Sequence, residues 1–342
     1  MKNMSFAALS LSSLLALSAC SSAEPAGIQP AESGGVEQEQ TLSVVVSTTV
    51  LGSVVRDIVR CALGDDSSVT VVMPIGADPH DFQPSSAQVA TMASADLVVV
   101  NGLGLEVGLL AAVEAIEGDG AAVLEIAPQV DPILFGEGIE DDHDDHADEE
   151  SPDGGAEDGY EEDGHGGGFD PHFWLDMERM ALATLLIGTE LQSVSDGNFQ
   201  ECAEETAAAI RTAEVTLRTS LETVPEDRRV LVTDHDALAY FAESFGYTVV
   251  GVVIPGGSTL GEPNSRELAA LVDVIRDRDV PAIFGDATLS EAILTTLANE
   301  ADRDVQVVSL FIGSLGGPGS GATNYIEMMT TNATRITEAR TQ

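Results

Sequence analysis

All six histidines of the sequence lie within two residues of an aspartate. Three of them, His80, His172 and His235, sit in the short motifs DPHDF, DPHFWLD and TDHDAL, and the other three lie in one acidic stretch. Neutral imidazole is a common metal ligand, and a carboxylate beside it can hold its second ring nitrogen and fix the tautomer. A single histidine in a loop is more often bonded to backbone, but the three motifs together predict a metal shell.

The alternation of strands and helices predicts where these histidines lie in the fold. Apolar runs predict one group of strands in each half of the sequence: residues 42–47, 69–73 and 97–100, then residues 229–233, 248–254, 282–284 and 305–310. Strands that are apolar on both faces and separated by helices are typical of a parallel sheet covered on both sides. We therefore predict an α/β fold of two lobes, each with its own parallel sheet.

Two further helices are predicted between the lobes, at residues 177–192 and 198–223. At a rise of 1.5 Å per residue the second spans about 39 Å, so it can join the lobes as a stiff strut. Ligands of open α/β sheets bind beyond the carboxyl ends of strands, and His80 and His235 each follow a predicted strand. Because His172 lies just before the linking helices, one metal site in the cleft between the lobes would collect all three histidines.

The first 40 residues are predicted to lie outside the folded body. Lys2 precedes an apolar run and the sequence LSAC, which is the pattern of a secretory signal peptide. Residues 1–20 also match a bacterial lipobox, in which Cys20 carries lipid; an ordinary signal with an incidental cysteine is the alternative. The remaining predicted parts are a flexible tether (21–40), an N-terminal lobe (41–176), linking helices (177–224) and a C-terminal lobe (225–342).

The charge of the chain is strongly negative, with 58 acidic against 14 basic residues and a formal net charge of -44. Such a charge excludes nucleic acid and anionic membrane surfaces as partners and favours cations. Residues 137–168 hold 15 of the carboxylates, few apolar residues, and His143, His146 and His165. This segment is predicted to be a disordered loop, which either forms weak auxiliary metal sites or is a solvated insertion without a role.

The two cysteines beyond the signal segment are Cys61 and Cys202. An even number in an extracytoplasmic compartment permits a disulfide, and two free buried thiols are equally compatible with the sequence. The distance between the two residues in the fold decides between these alternatives.

Several ordered motifs resemble one known family. They are GADPHDFQPSSAQVATMASADLVVVNGLGLE, DPHFWLD, VTDHDALAYFAESFG, EPNSRELAALVDVIRDRDVPAIF and SLGGPGSGATNYIEMM. From about residue 42 to residue 336 the chain resembles bacterial solute-binding protein family 9, the substrate-binding lipoproteins of zinc and manganese ABC uptake systems. The resemblance implies two α/β lobes joined by a long helix, one metal ion in the cleft, and His80, His172 and His235 as its ligands.

Two positions bear on which metal the resemblance implies. Manganese-binding relatives tend to have glutamate as the third ligand, whereas this chain has His235, and the acidic histidine-bearing segment is similar to that of zinc-specific members. Many members have an aspartate ligand where this chain has Gly313. The fourth position is then open, filled by water or supplied from elsewhere, and Asp286, at the end of a predicted strand, is the candidate; its alternative role is capping the next helix.

We therefore expect an extracytoplasmic, lipid-anchored monomer that captures Zn²⁺ and delivers it to a membrane permease driven by an ATPase. Three imidazoles suit tetrahedral zinc, whereas manganese favours more oxygen ligands; ligand type alone also fits copper or nickel. The alternatives are a manganese-binding member, an adhesin-like or metal-sequestering member without a permease, and a zinc hydrolase with three histidine ligands. No motif for a hydrolase's general base stands out.

Overall fold

The computed structural model describes residues 42–135 and 168–341. The predicted signal segment, Cys20 and the tether lie outside the described residues, as do His143, His146 and His165 of the acidic segment, so what the sequence predicts for them stays a prediction. Within the described ranges, no helix combines the length and the apolar character that a membrane crossing requires.

The first lobe is built on a four-stranded parallel sheet. Its strands are β1 (Val44–Val46), β2 (Val69–Val71), β3 (Leu97–Val100) and β4 (Val123–Glu125), in the order β2-β1-β3-β4. Its helices are α1 (Thr49–Leu63), α2 (Ser86–Ala93) and α3 (Leu110–Gly118). The predicted parallel sheet is confirmed, but β4 was not predicted; its sequence VLE ends in an exposed glutamate, so it has no continuous apolar run like the VVV of β1.

The second lobe repeats this architecture. Its strands are β5 (Val230–His235), β6 (Thr248–Ile254), β7 (Ala282–Asp286) and β8 (Gln306–Leu310), all parallel and in the order β6-β5-β7-β8. Its helices are α6 (Ala239–Phe245), α7 (Ser265–Asp277), α8 (Ala292–Glu300) and α9 (Tyr325–Thr341). Strand β5 extends two residues beyond its predicted end, so His235 is the last residue of the strand rather than a loop residue.

Two helices, α4 (Met177–Val194) and α5 (Phe199–Leu221), link the lobes. Near its start, α5 is joined to α1 by a disulfide between Cys61 and Cys202. Near its end, Arg218 donates a hydrogen bond to the carbonyl oxygen of Ser244 in the second lobe, 2.7 Å away. A helix of 23 residues, about 35 Å long, therefore reaches from one lobe to the other, and the question of the two cysteines is decided in favour of the disulfide.

Alternation of side chains along β1 explains how the first sheet is covered on both faces. All three residues of this strand are fully buried. Val44 and Val46 belong to the large apolar cluster that includes α1, whereas Val45 packs in a separate cluster with Met92 and Val113. Because successive side chains of a strand point to opposite faces, a run of valines is what such a doubly covered strand requires.

Candidate metal centre

The three histidines singled out in the sequence lie together in the cleft between the lobes. Each histidine has a ring nitrogen that lies within 4.8 Å of a ring nitrogen of the other two, and all three side chains are buried. The Nε2 atoms of His80 and His172 are 3.2 Å apart. Two nitrogens bound to one tetrahedral zinc at about 2.0–2.1 Å are about 3.4 Å apart, so this spacing suits a shared ion. Within the described ranges, this is the one cluster of potential metal ligands.

His80 is placed by the loop between β2 and α2. The Asp78 carboxylate accepts a hydrogen bond from the His80 backbone N–H at 3.0 Å, and its other oxygen accepts one from the Thr259 hydroxyl of the second lobe at 2.6 Å. Ser85 and Gln88 form a capping box that begins α2 and ends this loop. Both Asp78 oxygens are thus engaged elsewhere, and the Nδ1 atom of His80 is buried without a hydrogen-bond partner in the described protein.

His172 lies in the turn that leads into α4. Its Nδ1 is 2.7 Å from Oδ1 of Asp170, which also accepts a hydrogen bond from the His172 backbone N–H at 2.9 Å. The side chain of Asn101, which follows β3, donates to the Pro171 carbonyl oxygen at 3.0 Å. Asp176 then caps α4 by accepting from the backbone N–H of Glu178 and Arg179. The motif DPHFWLD therefore holds the candidate ligand His172 at one end and begins a helix at the other.

His235 is held by its sequence neighbour. Its Nδ1 lies 2.8 Å from Oδ1 of Asp234, and Oδ2 of the same carboxylate accepts a hydrogen bond from the Asp286 backbone N–H at 2.6 Å. The expectation that carboxylates hold the second ring nitrogen is met at His172 and His235 but not at His80. With Nδ1 engaged, Nε2 is the nitrogen that His172 and His235 can offer to a metal.

Burial sets the charge state of two of the imidazoles. Burial, together with the nearby His172 and His235, lowers the pKa of His80 to about 3 against the opposing effect of Asp78. Burial likewise lowers the pKa of His172 well below its usual value. Both rings are therefore neutral at physiological pH, which is the form that binds metals.

The pKa of His235 moves the other way. Burial alone lowers it, but the hydrogen bond and charge of Asp234, with the charges of Asp286 and Asp78, outweigh burial and raise it. A protonated imidazole has to lose its proton before it can bind a metal ion, so the raised pKa of His235 extends the pH range over which a proton competes with a metal at this ring.

Asp286, the candidate fourth ligand, is buried at the end of β7. One of its oxygens accepts from the Thr288 backbone N–H at 2.9 Å and the other from the Gly313 N–H at 2.7 Å. It does not belong to the group of ligand atoms within 4.8 Å of one another, and burial raises its pKa to about 6. The alternative role, capping the next helix, is wrong, because that helix (α8) has Glu291 at its N-cap and Asp286 bonds instead to the N–H of Thr288 in the turn after the strand.

The lack of a side chain at Gly313 lets the loop of His80 approach the second lobe closely. A Cβ at this position would lie 2.7 Å from Cδ of Pro79 and 3.0 Å from Oδ2 of Asp286. Any side chain there would collide with Pro79, which comes immediately before His80. The absence of an aspartate at position 313 is thus tied to the close approach of the two lobes here.

Some residues that organise the site were not identified from the sequence. Asn101, Thr259 and Tyr240 all bond to the loops that carry the histidines, but they are ordinary polar residues that no spacing rule singles out. The repeated Asp-Pro-His sequence is a usable signal, because it precedes two of the three histidines. Its aspartate bonds to the backbone N–H of the histidine in both cases.

Comparison with known proteins gives consistent matches along the chain. Residues 44–339 match the sequence profile of the family described as "Zinc-uptake complex component A periplasmic". The manganese-binding lipoprotein MntA of Halalkalibacterium halodurans is 29% identical over 310 residues, 90% of this chain and 91% of MntA. The metal ABC transporter substrate-binding lipoprotein FimA of Streptococcus parasanguinis is 25% identical, over 88% of this chain and 90% of FimA. The solved structure of the periplasmic zinc-binding protein TroA of Treponema pallidum has the same fold, with a TM-score of 0.70 and 23% identity over 87% of this chain and 99% of TroA.

Proposed function

The chain belongs to the family of the periplasmic zinc-uptake component A, and from this premise we propose that it captures Zn²⁺ outside the cytoplasm and delivers it to an ABC transporter. It is a metal-binding substrate-binding protein of such a transporter, and the choice of zinc is the finer proposal. The observation that supports it is the buried cluster of three imidazoles, with one nitrogen of each within 4.8 Å of the others.

Ligand type favours zinc over manganese. Zinc forms tetrahedral sites with imidazole nitrogen, whereas manganese prefers carboxylate and water oxygens in larger shells. In this cluster all three ligand atoms are nitrogens, and the carboxylates of Asp170 and Asp234 face the far nitrogens of the rings instead. The relatives carry names for both metals, so the preference is argued from this chain's own side chains.

We propose that water or Asp286 completes the shell. Asp286 would have to give up its hydrogen bonds to the backbone N–H groups of Thr288 and Gly313 to reach an ion. If it is a ligand, Asp286→Asn lowers zinc affinity as strongly as loss of a histidine. If water is the ligand, the affinity changes by less than about tenfold, as for a residue behind the ligands.

The remaining parts of the proposal concern residues outside the described ranges. Lipid on Cys20 would hold the protein at the outer face of the membrane, where residues 21–40 let a monomer reach its permease and ATPase. The acidic segment with His143, His146 and His165 would raise the local zinc concentration. Deleting residues 143–165 should then slow zinc acquisition at low zinc while leaving the affinity of the cleft unchanged; an unaltered uptake curve contradicts this role.

The test of the proposed function is metal analysis of protein purified without chelator, followed by competition between zinc and manganese. Wild type should carry one equivalent of zinc and keep it against excess manganese, and His235→Ala should lose it. Asn332→Ala is the matched control, because Asn332 is a buried polar residue whose side chain bonds to the backbone N–H and carbonyl oxygen of Phe311. Stoichiometric zinc in His235→Ala would contradict the site, and preferential loading with manganese would contradict the choice of metal.

Capture and release, rather than catalysis, is the activity that the family membership supports. The hydrolase alternative raised from the sequence predicts ester or phosphate turnover by the zinc-loaded protein. We expect no ester or phosphate turnover by the zinc-loaded protein above the turnover of the His235→Ala variant.

A further inference from the structure

One tyrosine of the second lobe bonds to the backbone that carries the metal-site residues of the first. Tyr240 lies on α6, five residues after His235, and its side chain is fully buried. Its hydroxyl donates a hydrogen bond to the carbonyl oxygen of Asp170 at 2.8 Å and accepts one from the backbone N–H of Ile133 at 3.1 Å. Both hydrogen-bonding capacities of the hydroxyl are therefore used on the first lobe.

The two backbone segments that Tyr240 contacts are paired with each other. The Asp170 N–H donates to the carbonyl oxygen of Ile133 at 2.8 Å, and the Phe135 N–H donates to that of Gly168 at 3.0 Å. This short antiparallel pair, residues 133–135 with 168–170, forms the stem from which the Asp170-Pro171-His172 turn emerges. The hydroxyl of Tyr240 forms hydrogen bonds to both segments at the end of the stem that lies next to the metal-site residues.

The position of Tyr240 is itself fixed. The guanidinium of Arg179 lies over its ring, 5.0 Å from the centroid. Arg179 is held in turn by the Asp176 carboxylate at 2.7 Å and by the Asp131 carbonyl oxygen at 3.0 Å. The ring is therefore held between α4 and the stem, so its hydroxyl has little freedom to move.

From these contacts we propose that Tyr240 is a positioning residue for the metal centre. By fixing the peptide of Asp170, it places the carboxylate that lies 2.7 Å from Nδ1 of His172 and so aligns Nε2 of that ring with the other two histidines. Because it also lies on the segment that follows His235, Tyr240 sets the distance between the ligands of the two lobes. The inference rests on the proposed function, since it assigns Tyr240 a role in the same site.

The chain offers a matched control in Tyr247. Its side chain is also buried, and its hydroxyl donates to a backbone carbonyl oxygen, that of Leu221, at 3.2 Å. Leu221 is the last residue of α5 and carries none of the metal-site residues. Tyr240→Phe and Tyr247→Phe thus remove the same atom from two buried tyrosines, only one of which contacts the stem.

The experiment compares wild type, Tyr240→Phe and Tyr247→Phe in full-length protein. Zinc affinity is measured by competition with a chromophoric chelator, the visible spectrum is recorded with Co²⁺ in place of zinc, and melting of the metal-free protein is followed. Tyr240→Phe should bind zinc about tenfold more weakly, as expected for residues that orient metal ligands, and should shift the cobalt spectrum. Tyr247→Phe should lower the melting temperature while leaving affinity and spectrum unchanged.

The inference would be overturned by a zinc affinity of Tyr240→Phe within twofold of wild type, or by an equal loss in Tyr247→Phe. If wild type itself binds no zinc, the proposed function fails instead, which separates the two. Replacement of Tyr240 by 3-fluorotyrosine keeps the hydroxyl and nearly the same volume, so it should restore wild-type affinity. A loss as large as that of the phenylalanine variant would assign the effect to packing and contradict the positioning role.

Discussion

The Asp170–His172 pair of the first lobe and the Asp234–His235 pair of the second have nearly the same geometry and opposite electrostatics. The Nδ1 to Oδ1 distances are 2.7 Å and 2.8 Å, and all four side chains are buried. Burial raises the pKa of Asp170 to about 7 and lowers that of His172. In the second pair, burial opposes the shifts but hydrogen bonding and charge outweigh it, so the pKa of Asp234 falls and that of His235 rises.

The hydrogen bond and charge of His235 lower the pKa of Asp234 most, and the remaining partners of each carboxylate add to the difference between the pairs. Oδ2 of Asp234 accepts a hydrogen bond from the Asp286 N–H, and Thr233 donates to Oδ1, so the negative charge is stabilised. Oδ2 of Asp170 is buried without a partner in the described protein. At slightly acid pH the first pair is therefore a neutral acid beside a neutral imidazole, and the second is an ion pair. Proximity of aspartate and histidine alone does not decide where the proton lies.

The largest expected effect is that of Asp234→Asn, which removes the charge of the ion pair. A buried imidazole that loses its anion should destabilise the metal-free protein by about 3 kcal/mol. Zinc affinity should fall by about 100-fold, because the asparagine holds His235 less firmly. Urea unfolding near pH 6 and chelator competition measure the two effects; losses no greater than those of Asp170→Asn would remove the proposed difference between the pairs.

Asp170→Asn should be milder. The carboxyl that it replaces is already uncharged below its pKa of about 7, so the amide exchanges one neutral group for another. We expect about 1 kcal/mol of destabilisation near pH 6 and about tenfold weaker zinc binding. The same two measurements apply, and a stability loss as large as that of Asp234→Asn would mean that Asp170 is ionised in the metal-free protein.

The third prediction concerns protons released on zinc binding. Near pH 6 the carboxyl of Asp170 and the imidazole of His235 each hold a proton that zinc displaces, so wild type should release about two per ion. Affinity should accordingly fall as the pH decreases through the raised pKa of each group. Calorimetry in buffers of different ionisation enthalpy should show that Asp234→Asn and Asp170→Asn each release about one proton fewer per zinc ion than wild type. Equal proton release from all three proteins would contradict the assignment of the two protons to Asp170 and His235.

The smallest expected effect is that of Thr233→Val. This change removes the hydroxyl 3.3 Å from Oδ1 of Asp234 at nearly constant volume. Stability should fall by about 0.5 kcal/mol, with a slight decrease in the pKa of His235 that an NMR titration of the metal-free protein can detect. Thr184→Val is the control, since the buried Thr184 hydroxyl donates to a backbone carbonyl oxygen instead. An unchanged His235 titration would show that Thr233 does not stabilise the charged pair.

The sequence predicts the strands better than it predicts the hydrogen bonds and protonation states of the residues around the metal site. Strands β3 and β6 end where the apolar runs end, because burial on both faces requires continuous apolar residues. The three histidines could be identified because each lies within two residues of an aspartate in a short motif, and two of them follow predicted strands. Whether the aspartate or the histidine of each pair carries the proton could not be predicted from the sequence. In the second pair it depends in part on the Asp286 N–H, which is 52 residues from Asp234 along the chain. The role of Tyr240 was missed for the same reason, because its partners are backbone atoms about 70 and 107 residues away.

The disulfide between Cys61 and Cys202 also affects how the protein withstands proteases. It closes a covalent ring over 141 residues of sequence, which includes the acidic segment and the turn of His172. A single peptide-bond cleavage anywhere inside that ring produces two fragments that stay linked through α1 and α5. Nicked protein would therefore run as one chain on a non-reducing gel and as two after reduction, and it would keep its histidines on one covalent molecule.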